Sequence, residues 1–290
     1  MMYFIIFLFG ISLGSFLNVI IYRLPKDEKI SGRSRCPHCK KVICWYDLIP
    51  VFSFIMLSGK CRYCHQKISL QYPLVEIATG ILFLLIFNFQ FSPQDPAKAG
   101  PTGQAIFNII YLWLIACFLV VIFVVDLKHY IIPDKIIYPA IGIAFLYQVI
   151  FNFQFSPKES LRLPTGQAIF NKFSISNFQI TNFYPPILSA LGAAAFFLVI
   201  VLVSHGHWMG LGDVKLAGFM GLFLGWPNIL MALFLAFGLG AIIGLGLVIL
   251  GKKKFKSEIP FGPFLVAGTL LALFWGKNLI DWYLATLITS

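Results

Sequence analysis

Residues 106–125 read IFNIIYLWLIACFLVVIFVV, twenty positions without a charge, and Asp126 follows directly. A helix that crosses a bilayer needs about 20 predominantly apolar residues, each adding about 1.5 Å of rise. This stretch supplies them, so lipid is the solvent against which the rest of the chain is read. Further apolar runs fall at 3–22, 73–89, 136–153, 186–203, 214–225, 229–250 and 262–283. Together they predict an all-α fold, a polytopic membrane helical bundle of about eight spans. Composition agrees: of 290 residues, 59% are hydrophobic and 11% charged, against about 25% charged in a soluble domain.

The run at 3–22 lacks a basic leader and no A-x-A pattern follows it, so it reads as a retained anchor and not a cleaved signal. Lys and Arg collect in cytoplasmic loops. Ten of them lie between Arg23 and Lys67, and Lys252, Lys253, Lys254 and Lys256 form a second group. The loops near 90–105 and 226–228 are almost uncharged. The expected topology therefore puts both termini outside and the basic loop in the cytoplasm. The net charge of +11 does not point to nucleic acid, because the cations stand beside spans, where anionic lipid head groups account for them.

The expected organisation is a first span at 1–22, a polar cysteine-bearing loop at 23–69, a second span and outward loop at 70–105, and a helical core at 106–290. Two segments are duplicated. IFNFQFSP occurs at 86–93 and again at 150–157, and PTGQAIFN occurs at 101–108 and again at 164–171. Two near-identical copies argue for a recent duplication and not for a repeat fold. The second copy makes 154–185 a long outward insertion.

Cys36-Pro37-His38-Cys39 and Cys61-Arg62-Tyr63-Cys64 are two C-x-x-C pairs. Each pair spans one edge of a tetrahedron, so together they suit a closed four-thiolate zinc site with a structural role. Arg35, Lys40, Lys60 and Arg62 favour the deprotonated thiols. Two disulfides are the competing reading, disfavoured in a reducing compartment; a redox C-x-x-C would need a thioredoxin-like pattern, which is absent. Cys44 reads as a free thiol and Cys117, within a span, as packing.

Carboxylates at membrane depth are costly and point to function. Glu76, Asp126, Asp134, Asp213 and Glu258 stand beside spans on the expected cytoplasmic side. Asp213 follows Gly210-Leu211-Gly212, where glycine permits close packing and unusual dihedrals. The run after it is short, roughly 20 Å of helix against a hydrocarbon core of about 30 Å, which would set Asp213 below the membrane surface. Two aspartates in one recess share a proton, as in aspartic proteases. Each of these carboxylates also has a bland reading: Asp126 as a helix end, Asp134 as a helix cap and Glu76 as a buried hydrogen-bonding group; Lys215 reads as a partner of a carboxylate or of lipid. Physical chemistry alone does not choose the pair. Glycine-broken helices with buried carboxylates also mark ion-coupled transporters, and a structural zinc-loop membrane scaffold is a further alternative.

Six motifs in order carry a resemblance. They are Gly14-Ser15-Phe16-Leu17-Asn18-Val19 with Tyr22-Arg23-Leu24-Pro25, the paired C-x-x-C loop, Tyr72-Pro73-Leu74-Val75-Glu76, Asp126 through Ile132-Pro133-Asp134, Gly210-Leu211-Gly212-Asp213-Val214-Lys215, and Ile259-Pro260-Phe261-Gly262-Pro263. The chain resembles the type IV prepilin peptidases, membrane aspartyl proteases of the GxGD class. The resemblance implies catalysis by Asp126 and Asp213, with Gly210, Gly212, Lys215, Asp134 and Glu258 in support, and zinc on Cys36, Cys39, Cys61 and Cys64. It implies removal of the basic leader of prepilins or pseudopilins after a glycine, at the cytoplasmic face of the inner membrane. It also implies N-methylation of the new terminus from S-adenosylmethionine, assigned to the neighbourhood of Glu76 and the loop. Since the leaders are basic, the basic loop does not attract them; docking would use the apolar pilin helix, with Glu258 meeting the leader.

Overall fold

The computed structural model describes residues 1–91, 102–152, 184–251 and 259–288. Among these residues the long elements are helices: α1 (Met2–Arg23), the short α2 (Phe52–Met56), α3 (Gln71–Gln90), α4 (Thr102–His129), α5 (Asp134–Asn152), α6 (Tyr184–Val203), α7 (Leu211–Leu224), α8 (Asn228–Ile249) and α9 (Gly262–Ile288). The only β pairing among them is two isolated bridges, Arg35 with Val42 and Lys60 with Lys67. Six of the helices are long and apolar enough to cross a membrane: α1, α3, α4, α6, α8 and α9. The protein is a multi-pass membrane protein. α5 and α7 stand where the other two spans were expected, and α7 has only 14 residues. The insertion expected at 154–185 lies outside the described residues except for its last two, which begin α6; most of the second copy of the duplication lies outside them too.

The chain divides into two compact units, Met1–Ile137 with Ala236–Ala267, and Tyr138–Leu235 with Gly268–Ser290. In the first, α1 buries Ile6, Gly10, Ile11, Gly14, Leu17, Asn18 and Ile21. Their spacing of three and four makes one stripe, and it lies along α3. Helices in lipid gain little from apolar contact with each other and associate where small residues let backbones approach. That is the case here: a Cβ added at Gly10 would lie 2.8 Å from the Gly80 Cα, and one at Gly14 would lie 2.7 Å from the Glu76 Cα. α4 closes the other side of α3. Trp113 stacks on Phe83 with ring centres 4.8 Å apart and donates its indole N–H to the Phe83 carbonyl at 3.2 Å. Cys117 packs beside the cluster of Ile6, Phe83, Phe87 and Ile109, the packing role expected of it.

In the second unit α6 runs against α7. Here the close approach belongs to Gly221, where an added Cβ would lie 2.5 Å from the Ser189 carbonyl oxygen. The expectation that Gly210 serves close packing or unusual dihedrals is not met. Its backbone is ordinary extended chain (φ −88°, ψ 160°), and an added Cβ would meet nothing nearer than the Gly212 amide nitrogen at 3.8 Å.

Candidate functional site

The cysteine loop is built from two copies of one turn. Cys36 N–H donates to the Lys41 carbonyl and Lys40 N–H to the Cys36 carbonyl; twenty-five residues on, Cys61 N–H donates to Gln66 and His65 N–H to Cys61. Ile43 to Ser34 and Ile68 to Gly59 close the two turns in the same way. Each turn needs a left-handed residue just after its second cysteine, and Lys40 (φ 59°) and His65 (φ 55°) fill that place. The result brings the Sγ atoms of Cys36, Cys39, Cys61 and Cys64 within 4.8 Å of one another, and Cys36 and Cys64 are 3.8 Å apart. A tetrahedral ion with metal–sulfur bonds of about 2.3 Å sets its ligands about 3.8 Å apart, so this donor set fits a metal ion. Arg23 organises the approach to the loop, its guanidinium donating to the carbonyls of Lys29, Ile30, Ser31 and Arg33 at 2.7–3.2 Å. Cys44 stays outside the cluster as a free thiol. Hydrogen bonds from Tyr46 and Tyr63 hold it below its ordinary pKa.

Among the described residues, Glu76 and Asp126 are the two acidic residues buried as a whole, backbone included. Glu76 faces the α1 seam. Its Oε2 accepts the N–H of Val51 at 2.8 Å, and Ser15 hydrogen-bonds it from α1. Asn18, one turn further along α1, donates to the Tyr72 carbonyl at 3.0 Å. Ser15, Asn18, Tyr72 and Glu76 thus form one polar knot between two membrane helices, pinned to the loop through Val51.

Asp126 lies in the last turn of α4, turned inward while its neighbour Leu127 is exposed. It accepts the backbone N–H of Gly262, the first residue of α9. The first N–H groups of a helix have no partner inside it, so α9 presents a donor to the carboxylate. Contact is close: an added Cβ at Gly262 would lie 2.5 Å from Asp126 Oδ2 and 3.0 Å from its Cγ. Nothing but glycine leaves room for the carboxylate in this position. The motif at 259–263 was visible in the sequence, but its contact with Asp126 was not.

Asp134 begins α5 and is exposed, as a helix-start residue is; its neighbour Lys135 pairs with Asp27 at 2.6 Å. In the second unit, Asp213 sits in the first turn of α7, and its Oδ2 accepts the Gly210 N–H at 3.2 Å, the reach-back half of a capping box. Lys215 places its ammonium 4.9 Å from the centre of the Tyr138 ring, a cation–π distance. Glu258 lies outside the described residues.

Two family models match. Residues 8–89 match the bacterial peptidase A24 N-terminal domain, and residues 113–245 match the type IV leader peptidase family. A prepilin leader peptidase/N-methyltransferase of Legionella pneumophila is 30% identical over 98% of this chain and 94% of its own. This chain belongs to that family. A prepilin leader peptidase/N-methyltransferase of Aeromonas salmonicida is 29% identical, also over 98% of this chain and 94% of its own. The one of Bacillus subtilis is 28% identical over 97% of both. No solved structure matches. The peptidase A24 N-terminal domain takes in α1 from Leu8 onward, the cysteine turns, and nearly all of α3, so the cysteine cluster and the Glu76 knot fall within it. The peptidase domain takes in Asp126 and Asp213. The transporter and scaffold readings gain no support from either match.

Proposed function

We propose that this chain removes the leader of prepilins or pseudopilins and methylates the amine that cleavage exposes, with Asp126 and Asp213 as the catalytic pair. The observation that carries the peptidase reading is Asp126 itself: a buried carboxylate at the end of a membrane helix, held by the Gly262 amide with no room for a side chain beside it. A group kept so costly in lipid serves chemistry before stability. In the reaction the ionised member of the pair takes a proton from water as the oxygen attacks the carbonyl after the leader's last glycine. The protonated member hydrogen-bonds the carbonyl oxygen as charge develops there, and a proton returns to the departing amine. Gly210 and Gly212 lead into the first turn of α7, which carries Asp213, and Lys215 and Asp134 are assigned a supporting role. Glu258 is assigned to the basic leader.

The four cysteines would hold zinc as a structural ion, a closed site that takes no part in the reaction. S-adenosylmethionine supplies the methyl group for the second activity, which we assign to the Glu76 neighbourhood and the loop. The enzyme belongs in the inner membrane with its site facing the cytoplasm, as the basic loop implies.

The experiment is leader cleavage in proteoliposomes by Asp126→Asn and Asp213→Asn, each with methyl transfer to pre-cleaved pilin measured alongside. Both variants should lose cleavage and keep methyl transfer. Cleavage at the wild-type rate by either one removes that residue from the pair.

A further inference from the structure

Between the two cysteine turns lies a stretch that neither metal binding nor catalysis uses. From Leu48 to Gly59 the sequence LIPVFSFIMLSG carries no charge, although basic residues flank it on both sides. It folds into a 3₁₀ turn at Trp45–Leu48 and the short helix α2. Its interior side is served by Phe54, which closes on Gly59. Its other side is bare: Trp45, Phe52, Ile55 and Met56 are 58–78% exposed. Phe52, Ile55 and Met56, at spacings of three and four, share one face of α2.

Depth is set by a bond already described. Glu76 is the sixth residue of α3, about 7.5 Å along the helix from its start, and it is the Val51 amide just before α2 that reaches its carboxylate. The start of α2 is therefore level with the second turn of α3, a helix long and apolar enough to cross a membrane. The loop that carries it runs from the end of α1 to the start of α3. Charge agrees with that place. The one carboxylate within residues 45–56 is Asp47, just before the uncharged run; its side chain is only 5% exposed and is covered by Arg62 at 2.6 Å. Lys40, Lys41 and Lys60 border the segment with the sign that anionic head groups attract.

We propose that residues 45–56 insert into the head-group–acyl boundary of the bilayer, an interfacial wedge that fixes the cysteine loop against the membrane. The wedge goes beyond the catalytic reading and stands without it. Trp45 is the natural reporter. Its emission is the difference between the wild-type chain and Trp45→Phe, both zinc-loaded and reconstituted in phosphatidylcholine/phosphatidylglycerol vesicles with acyl chains brominated near the head group. That difference signal should be blue-shifted and lose about half its intensity or more relative to unbrominated vesicles, because an inserted ring lies about 5–10 Å into the boundary. Ile55→Glu, at an exposed position, should restore much of the lost intensity by lifting the wedge. An unquenched signal at the wavelength of indole in water overturns the proposal. So does a signal shielded only when prepilin is added, which would make the face a pilin-docking surface.

Discussion

Gly262→Ala adds one methyl group 2.5 Å from Asp126 Oδ2, where ordinary contact begins at 3.4 Å. Relief requires the carboxylate oxygen to retreat by about 0.9 Å or the start of α9 to swing away, and either change loosens the Gly262 N–H bond. Misplacing a reacting group by about 1 Å costs on the order of 100-fold in rate, or about 2.7 kcal/mol of barrier. The variant should therefore lose about two orders of magnitude in kcat/KM for leader cleavage in proteoliposomes, with methyl transfer to pre-cleaved pilin unchanged. Gly240→Ala is the control. It lies on α8 in the same unit and its new Cβ would meet the Phe261 and Phe264 rings at 3.6 Å, ordinary contact, so its cleavage rate should stay near wild type. If Gly262→Ala cleaves within about threefold of wild type while Asp126→Asn is dead, the fixed position of Asp126 has no bearing on the chemistry and the argument fails.

Gly14→Val drives a side chain into the Glu76 backbone, which no rotamer change relieves; it should lower stability by about 1–3 kcal/mol, read as a lower Tm in detergent, while Gly142→Ala, with nothing within 4 Å, should not. Glu76→Ala leaves the Val51 amide without its acceptor, and exchange of that amide should speed by about tenfold or more, in line with about 1–3 kcal/mol for an orphaned group; Glu76→Gln keeps an acceptor and should show less. Cys36→Ser should lose the bound metal by elemental analysis and open residues 24–70 to protease, whereas Cys44→Ser, outside the cluster, should keep both metal and resistance.

The helices were legible because each is a long apolar run with a polar boundary. α1, α3 and α8 lie within two residues of their expected edges, and α4 extends past 106–125 because Thr102–Ala105 and Asp126–His129 continue the helix beyond its apolar part. The cysteine cluster was legible because both halves of it are local and carry their spacing in the sequence. What could not be read were the bonds between distant elements. Val51 to Glu76, Gly262 to Asp126 and Lys135 to Asp27 join residues 25 to 136 positions apart, and no periodicity signals them. The expectation for Gly210 failed for the same cause. Gly210 and Gly221 look alike in sequence, and only the path of α6 decides which one meets a neighbouring backbone.

The glycine seam between α1 and α3 has a thermodynamic consequence for the metal. The two helices hold the ends of a loop that would otherwise close at an entropic cost of about 3 kcal/mol for its length. With those ends already gathered, the two cysteine turns meet in a far smaller volume, and an ion would bind there more tightly than to the free loop. Linkage makes the benefit reciprocal: whatever factor the seam adds to metal affinity, the ion returns to helix association. Metal affinity is thus a gauge of membrane packing, and a substitution at Gly10 or Gly14, buried between helices, should register as a weaker hold on an ion that neither residue touches.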